Sequence, residues 1–286
     1  MKKKALIIGI NYIGTKNELA GCIPDAIEIN KRITKHFGYL PEDIRILTDD
    51  SGADCMPTRQ GIEDGIKWLL SDVQPGDTLL FYYSGHGTNV ADKTGDESDR
   101  QDEALCPLDF EQTGFMLDDW LLQNLTGKVP EGVNLWGFSD SCRSGTVFDL
   151  NYNYKSACQY KAPPMTTTSK TDMGNPYHDE EWTDEFEQYT ELSKKVGGNV
   201  CFFSGCLDYE YSSDATNPET GSPQGAFTFC FLKFLDNHID ECGYGPVPLN
   251  KMLKELNCLL DIYGYNSQQS LLSMSNVSFI ECNFML

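Results

Sequence analysis

Apolar residues along the 286-residue chain follow two rhythms. Short, nearly continuous apolar runs occur at Lys4 to Ile10, Ile44 to Thr48, Thr78 to Tyr83, Val133 to Phe138 and Val200 to Phe203. A strand covered on both faces reads as such a run, whereas a half-exposed strand alternates. Between the runs, apolar positions recur at helical spacing. Ala26, Ile27, Ile33 and Phe37 mark a helix over Asp25 to Phe37, with Pro24 near its start and Gly38 to stop it. Ile62, Ile66, Leu69 and Leu70 follow Pro57-Thr58, and Trp120, Leu121 and Leu125 follow Asp118-Asp119. A strongly apolar helix over Gly225 to Asn237, an amphipathic one over Leu249 to Leu260 and a last strand over Val277 to Cys282 complete the pattern. Strands alternating with helices predict an α/β fold with a parallel sheet covered on both faces.

The pattern lapses once. From Ser156 to Gly198 the chain turns polar, through Pro163-Pro164, Thr166-Thr167-Thr168 and Asp179-Glu180-Glu181, with one helix expected within Thr183 to Lys195. Such a stretch reads as an exposed connection. One domain over 1–286 is expected, divided into 1–155, the connection 156–198, and 199–286.

Composition narrows the function. With 43 acidic against 22 basic residues the net charge is −21, which argues against nucleic-acid backbones and suits cationic partners or metal ions. The Lys-rich start precedes an apolar run too short for a signal peptide, and no run reaches membrane-spanning length. Eleven cysteines without a C-x-x-C pair read as reduced thiols, so a cytoplasmic protein is expected. The sequons at Asn124 and Asn276 then carry no meaning.

Two strand tips carry the chemistry. The Val133 to Phe138 run ends in Ser139-Asp140-Ser141 and then Cys142, while the Thr78 to Tyr83 run ends in Ser84-Gly85-His86-Gly87. Ligands of open parallel sheets bind beyond the carboxyl ends of the strands. An isolated cysteine is usually a small buried hydrophobe, but a histidine on a matching tip changes that reading. The thiolate is the nucleophile, and a neighbouring histidine can take the thiol proton and return one to a leaving amine. Cys142 is therefore the candidate nucleophile and His86 the candidate acid and base. The backbone N–H groups of Cys142 and Gly87 are the candidate oxyanion hole.

Tyr83-Ser84-Gly85-His86-Gly87 with Asp140-Ser141-Cys142-Arg143-Ser144-Gly145 resembles the metacaspases, which are caspase-like cysteine peptidases. Gly14 to Leu19, Gly21 to Asp25, Ile46 to Asp50 and Gly225 to Thr228 resemble further family stretches in the same order. The resemblance implies a three-layer α/β/α sandwich with a mostly parallel sheet of about six strands. It makes 1–155 like a large subunit and 199–286 like a small one. It departs at Arg143, where family members usually carry His, and recruitment through a Pro-rich or zinc-finger extension before the first strand is not expected. Arg143 either lowers the Cys142 pKa through its charge or, as expected of an exposed charge, points outward as a solvated side chain.

By resemblance, Cys22, Asp25, Ser84 and Asp140 line the primary specificity pocket, and the two carboxylates would hold a substrate Arg or Lys. Taken alone, Asp25 would be an acidic residue at a helix start and Cys22 a core residue. Asp102, Asp118, Asp119 and Asp149 match the family's calcium site; Ca²⁺ takes such hard oxygen ligands. The acidic loop Asp92 to Glu103 fails the calcium helix-loop-helix pattern, because Glu97 stands where Gly is required. A Ca²⁺-dependent endopeptidase cutting after Arg or Lys is expected, a monomer like much of the family, acting on proteins or peptides. Self-cleavage is expected at Lys161, Lys170, Lys194 or Lys195 in the connection. The other reading is a non-catalytic caspase-like scaffold binding basic partners through its acidic cleft. A nucleotide-binding protein is excluded by the lack of any Gly-rich phosphate loop.

Overall fold

The computed structural model describes residues 1–50, 56–91, 101–158, 182–188, 196–207, 214–243, 245–281 and 283–284. In chain order the elements are β1 (Lys3–Gly9), α1 (Cys22–His36), β2 (Ile44–Thr48), α2 (Arg59–Leu69), β3 (Thr78–Ser84), β4 (Gly87–Ala91) and β5 (Gln101–Leu105). They continue through α3 (Phe110–Thr113), β6 (Met116–Leu117), α4 (Asp118–Asn124), β7 (Asn134–Asp140), β8 (Tyr152–Cys158) and β9 (Trp182–Gln188). The last are β10 (Asn199–Ser204), β11 (Asp214–Thr216), β12 (Pro223–Gly225), α5 (Ala226–Cys242), β13 (Val247–Pro248), α6 (Leu249–Ile262), β14 (Leu271–Met274) and β15 (Asn283–Phe284).

The central sheet runs β2-β1-β3-β7-β10-β14-β8-β9. The first five strands are parallel and the remaining pairings antiparallel. Successive residues of each strand serve opposite cores, as the period of two requires. Ala5, Ile7, Leu80, Tyr82, Trp136, Phe138 and Phe203 pack under α1, α5 and α6. Leu6, Ile8, Leu79, Phe81, Leu135 and Phe202 pack under α2 and α4. Two buried faces explain why these strands read as unbroken apolar runs, and they make the three-layer α/β/α sandwich. Phe138 stacks on both Phe203 and Phe231, with centroids 5.6 and 4.6 Å away. Each such buried ring contributes ~1.5–3 kcal/mol.

Local signals set the helix starts. Thr58 caps α2 by accepting the Gly61 N–H at 3.2 Å. Helix α1 has no cap of its own; Asn11, on the loop after β1, accepts the Cys22 and Ile23 N–H groups at 3.0 and 3.2 Å.

Three expectations need correction. The sheet has eight strands where about six were expected, because β8 and β9 extend it through the start and later part of the polar connection. Trp182 to Gln188 is strand β9, paired with β8, where a helix was expected; Trp, Thr and Phe favour extended backbone over helix. The last strand of the central sheet is Leu271–Met274, whose four residues are all buried, and Val277–Glu281 is a 3₁₀ turn. The Asn276 side chain diverts the chain there, accepting both the Ser278 N–H and its hydroxyl at 3.0 Å.

Candidate active site

Strands β3 and β7 are parallel neighbours in a register that sets Ser84 opposite Asp140. The two tips therefore end side by side, about one strand spacing (~4.8 Å) apart. His86 and Cys142 follow each tip by two residues, and both line a cavity of about 80 Å³ with Cys22, Asp25, Ser84, Asp140 and Gly225. Every residue expected for the nucleophile, the base and the specificity pocket shares this one hollow. The tips are also locked by backbone: the Gly85 N–H donates to the Asp140 carbonyl at 3.3 Å. Gly87 passes so near the Cys142 carbonyl oxygen that a Cβ would stand 2.0 Å from it, so no larger residue fits.

His86 is held from several sides. Its N–H donates to the Tyr12 hydroxyl at 3.0 Å, and its carbonyl accepts from the Tyr83 hydroxyl at 2.8 Å and the Cys106 N–H at 3.1 Å. The Tyr12 ring lies against the imidazole, centroids 4.7 Å apart. Burial keeps the Tyr12 and Tyr83 phenols protonated far into alkaline pH, so they remain donors. Nε2 of His86 sits 2.8 Å from the Asn17 carbonyl oxygen. A carbonyl only accepts, so the neutral ring carries its proton on Nε2 and leaves Nδ1 with the lone pair. This orienting group is backbone, and no residue type in the sequence announces it.

The half-buried Cys142 has a thiol neighbour, Cys106, whose pKa is pushed up to about 12 by burial and then by Cys142 itself. Cys106 stays a neutral thiol, so it does not compete as a nucleophile. Arg143 adopts left-handed backbone (φ 50°) and is of intermediate exposure.

The specificity candidates converge. Asp25 is fully buried; it accepts the Ser84 hydroxyl at 2.9 Å and the Gly225 N–H at 3.1 Å. Asp140 accepts the Thr228 N–H at 2.8 Å and its hydroxyl at 2.7 Å. With that proton committed, the Tyr82 hydroxyl donates to Thr228 at 2.6 Å. A Cβ on Gly225 would come within 2.1 Å of Asp140 Oδ2 and 2.7 Å of Asp25 Oδ2. Two carboxylates thus flank one glycine, and a cation placed there would relieve their repulsion. Burial, and then the Asp25 and Asp140 charges, push the Tyr82 phenol well up. Thr228 and Gly225 stood in a recognised stretch, yet their role follows only from β12 and α5 folding back over α1.

The expected calcium ligands come from three separate segments. Asp102 is on β5, Asp118 and Asp119 open α4, and Asp149 comes after the cysteine loop with φ 49°. Asp102, Asp118 and Asp149 are buried. The Asp118 carboxylate accepts the Glu103 and Asp119 N–H groups at 2.9 and 2.7 Å. Glu103 Oε2 accepts the Thr146 hydroxyl at 2.7 Å, tying β5 to the cysteine loop. The donors suit Ca²⁺ chemically, but among the described residues no three acidic, His or Cys side chains are arranged to hold a metal. Lys161, Lys170, Lys194, Lys195 and the stretch from Asp92 to Arg100 lie outside the described residues.

A parallel α/β sandwich with Cys and His on adjoining strand tips defines the caspase-like class of fold. A sequence profile described as "Metacaspase, peptidase C14 domain" matches residues 3–151, and the chain belongs to that family. It is 33% identical to Metacaspase-1 of Yarrowia lipolytica, a match covering 100% of this chain and 64% of that protein. Metacaspase-1 of Scheffersomyces stipitis is 36% identical over 82% of this chain and 63% of its own length. For Schizosaccharomyces pombe Metacaspase-1 the figures are 35%, 80% and 59%. The chain thus spans about three fifths of the length of these curated relatives. A crystal structure of a Geobacter sulfurreducens protein matches the fold with TM-score 0.62 at 24% identity, over 98% of this chain and 97% of that one. Among the described residues no helix is long and apolar enough to cross a membrane.

Proposed function

We propose that this chain is a cysteine endopeptidase that cleaves after Arg or Lys, with Cys142 as nucleophile and His86 as base and acid. The observation that supports it most is the Ser84–Asp140 register, which sets both reactive side chains on the cavity that Asp25 and Asp140 line. In this reading Nδ1 of His86 takes the Cys142 proton while the Asn17 carbonyl steadies the ring. The sulfur bonds to the scissile carbonyl carbon, and the carbonyl electron pair moves onto oxygen, facing the Gly87 and Cys142 N–H groups. As the C–N bond breaks, the imidazolium gives its proton to the departing amine. Water then gives a proton to Nδ1 and attacks the thioester carbon. The acid product leaves, and the proton returns to sulfur. Asp25 and Asp140 would hold the substrate guanidinium or ammonium, whose charge offsets theirs.

Asp102, Asp118, Asp119 and Asp149 are the residues that would hold Ca²⁺. Bound calcium would supply positive charge that draws these carboxylates together beside the cysteine loop. The test is hydrolysis of fluorogenic peptides ending in Arg and in Asp, by wild type and Cys142→Ala, with Ca²⁺ or EGTA. Wild type should cleave the Arg peptide in Ca²⁺, and Cys142→Ala should lose at least ~10³-fold. A Cys142→Ala protein with wild-type turnover, or a preference for the Asp peptide, ends the reading. Full activity in EGTA removes calcium from it.

A further inference from the structure

The strand order β2-β1-β3-β7 sets four carboxyl tips in a row, and His86 and Cys142 follow the last two. The first tip carries Asp49, in the turn after β2, and the second carries Tyr12, on the loop between β1 and α1. One carboxylate joins them. Asp49 Oδ1 accepts the Asn11 N–H and Oδ2 accepts the Ile13 N–H, both at 2.8 Å, so the two bonds bracket Tyr12. Tyr12 has left-handed backbone (φ 51°), which a residue other than glycine keeps only where its surroundings fix it. Ile13 is 53% exposed, so core packing does not set the chain on that side. The Tyr12 carbonyl is tied as well, accepting the Thr15 N–H and hydroxyl at 3.1 and 2.8 Å.

We infer that Asp49 is a positioning residue for His86 and acts through this loop. The inference rests on His86 as the base of the proposed reaction. By fixing the backbone at Tyr12, the carboxylate lays the Tyr12 ring against the imidazole, centroids 4.7 Å apart, and aims its hydroxyl at the His86 N–H. The residues that follow bring the Asn17 carbonyl to 2.8 Å from Nε2. The proton then stays on Nε2, and Nδ1 keeps the lone pair that takes the thiol proton. The imidazolium formed by that transfer lies within the ~6 Å at which an aromatic ring attracts a cation. Asp49 thus lies two strands away from the histidine it serves and touches only backbone on the way.

Kinetics and imidazole nitrogen-15 NMR of the full chain test this. Asp49→Asn keeps the shape but offers one oxygen for the two N–H groups. With an Arg-ending fluorogenic peptide it should lose about tenfold in kcat, with KM within about twofold. Asp49→Glu, which keeps both oxygens, should recover most of that loss. On Cys142→Ala protein at about pH 8, where an imidazole is neutral, the His86 signals should show Nε2 protonated and Nδ1 bare. Adding Asp49→Asn should bring in a protonated-Nδ1 signal, which a loss of stability alone would not produce. His86→Ala assigns these signals and separates the inference from the reading beneath it: wild-type turnover there ends His86 as the base. With His86→Ala inactive, the inference alone is overturned if folded Asp49→Asn keeps wild-type kcat, if its loss lies in KM, or if its imidazole signals match the parent. It is equally overturned if Asp49→Glu is no better than Asp49→Asn.

Discussion

The two ends of the same four strands have opposite chemistry. Where β1, β3, β7 and β10 finish, Asp25, Ser84, His86, Asp140 and Cys142 surround a hollow of about 80 Å³. Where they begin, a far larger hollow has apolar walls and no acidic residue among the described lining. The strands cannot account for this, since their side chains alternate between the same two cores along their whole length. The difference comes from the segments that flank them. The carboxyl tips run into short loops of Gly, Ser and Asp that carry His86 and Cys142. At the amino tips, the end of α5 and β15 pack an aromatic and aliphatic rim around the sheet.

That contrast can be broken from either end. Asp140→Asn keeps the shape and an acceptor for Thr228 but removes one charge, and kcat/KM for an Arg-ending peptide should fall about 100-fold or more. An equal loss on a peptide ending in a neutral residue would mean that Asp140 only shapes the loop.

A stability effect of intermediate size should come from high pH. Around the carboxyl tips burial holds the Tyr12, Tyr82 and Tyr83 phenols and the Cys106 thiol protonated in the folded state. Their folded pKa values are raised, so their contribution is intact below the unfolded values, ~8.5 for a thiol and ~10 for a phenol. It is lost as pH climbs from there toward about 12 for Cys106. Each group then costs on the order of 1 kcal/mol per pH unit. Urea midpoints should fall between pH 8 and pH 10.5, and an unchanged midpoint would show that these groups ionise freely when folded. The smallest effect belongs to the other end: Trp136→Phe should leave peptide kcat/KM within about twofold of wild type. A larger drop would show that the two ends are energetically linked through β7.

The parallel half of the sheet was legible because two-sided burial leaves unbroken apolar runs, and the reactive tips because Cys142 and His86 each come just after such a run. The antiparallel half was not. Leu271–Met274 is only four residues long, and its identity as a strand depends on pairing with β10 and β8. Trp182 to Gln188 sits in a polar stretch whose extended state depends on β8. At the site, the carboxylates could be named from the sequence, but their partners could not. Asn17 acts through its carbonyl, which every residue has, and Thr228 and Gly225 reach Asp140 and Asp25 across separations of 88 and 200 residues.

The strand order has a further consequence for a chain cut anywhere between residues 159 and 195. Strands β10 and β14 come after such a cut, yet they lie between β7 and β8, which both come before it. The two pieces would be interleaved like the fingers of clasped hands, with a backbone ladder gripping the later piece on each side. A single nick would leave the particle's mass and outline unchanged in native buffer, and only denaturation would separate the halves.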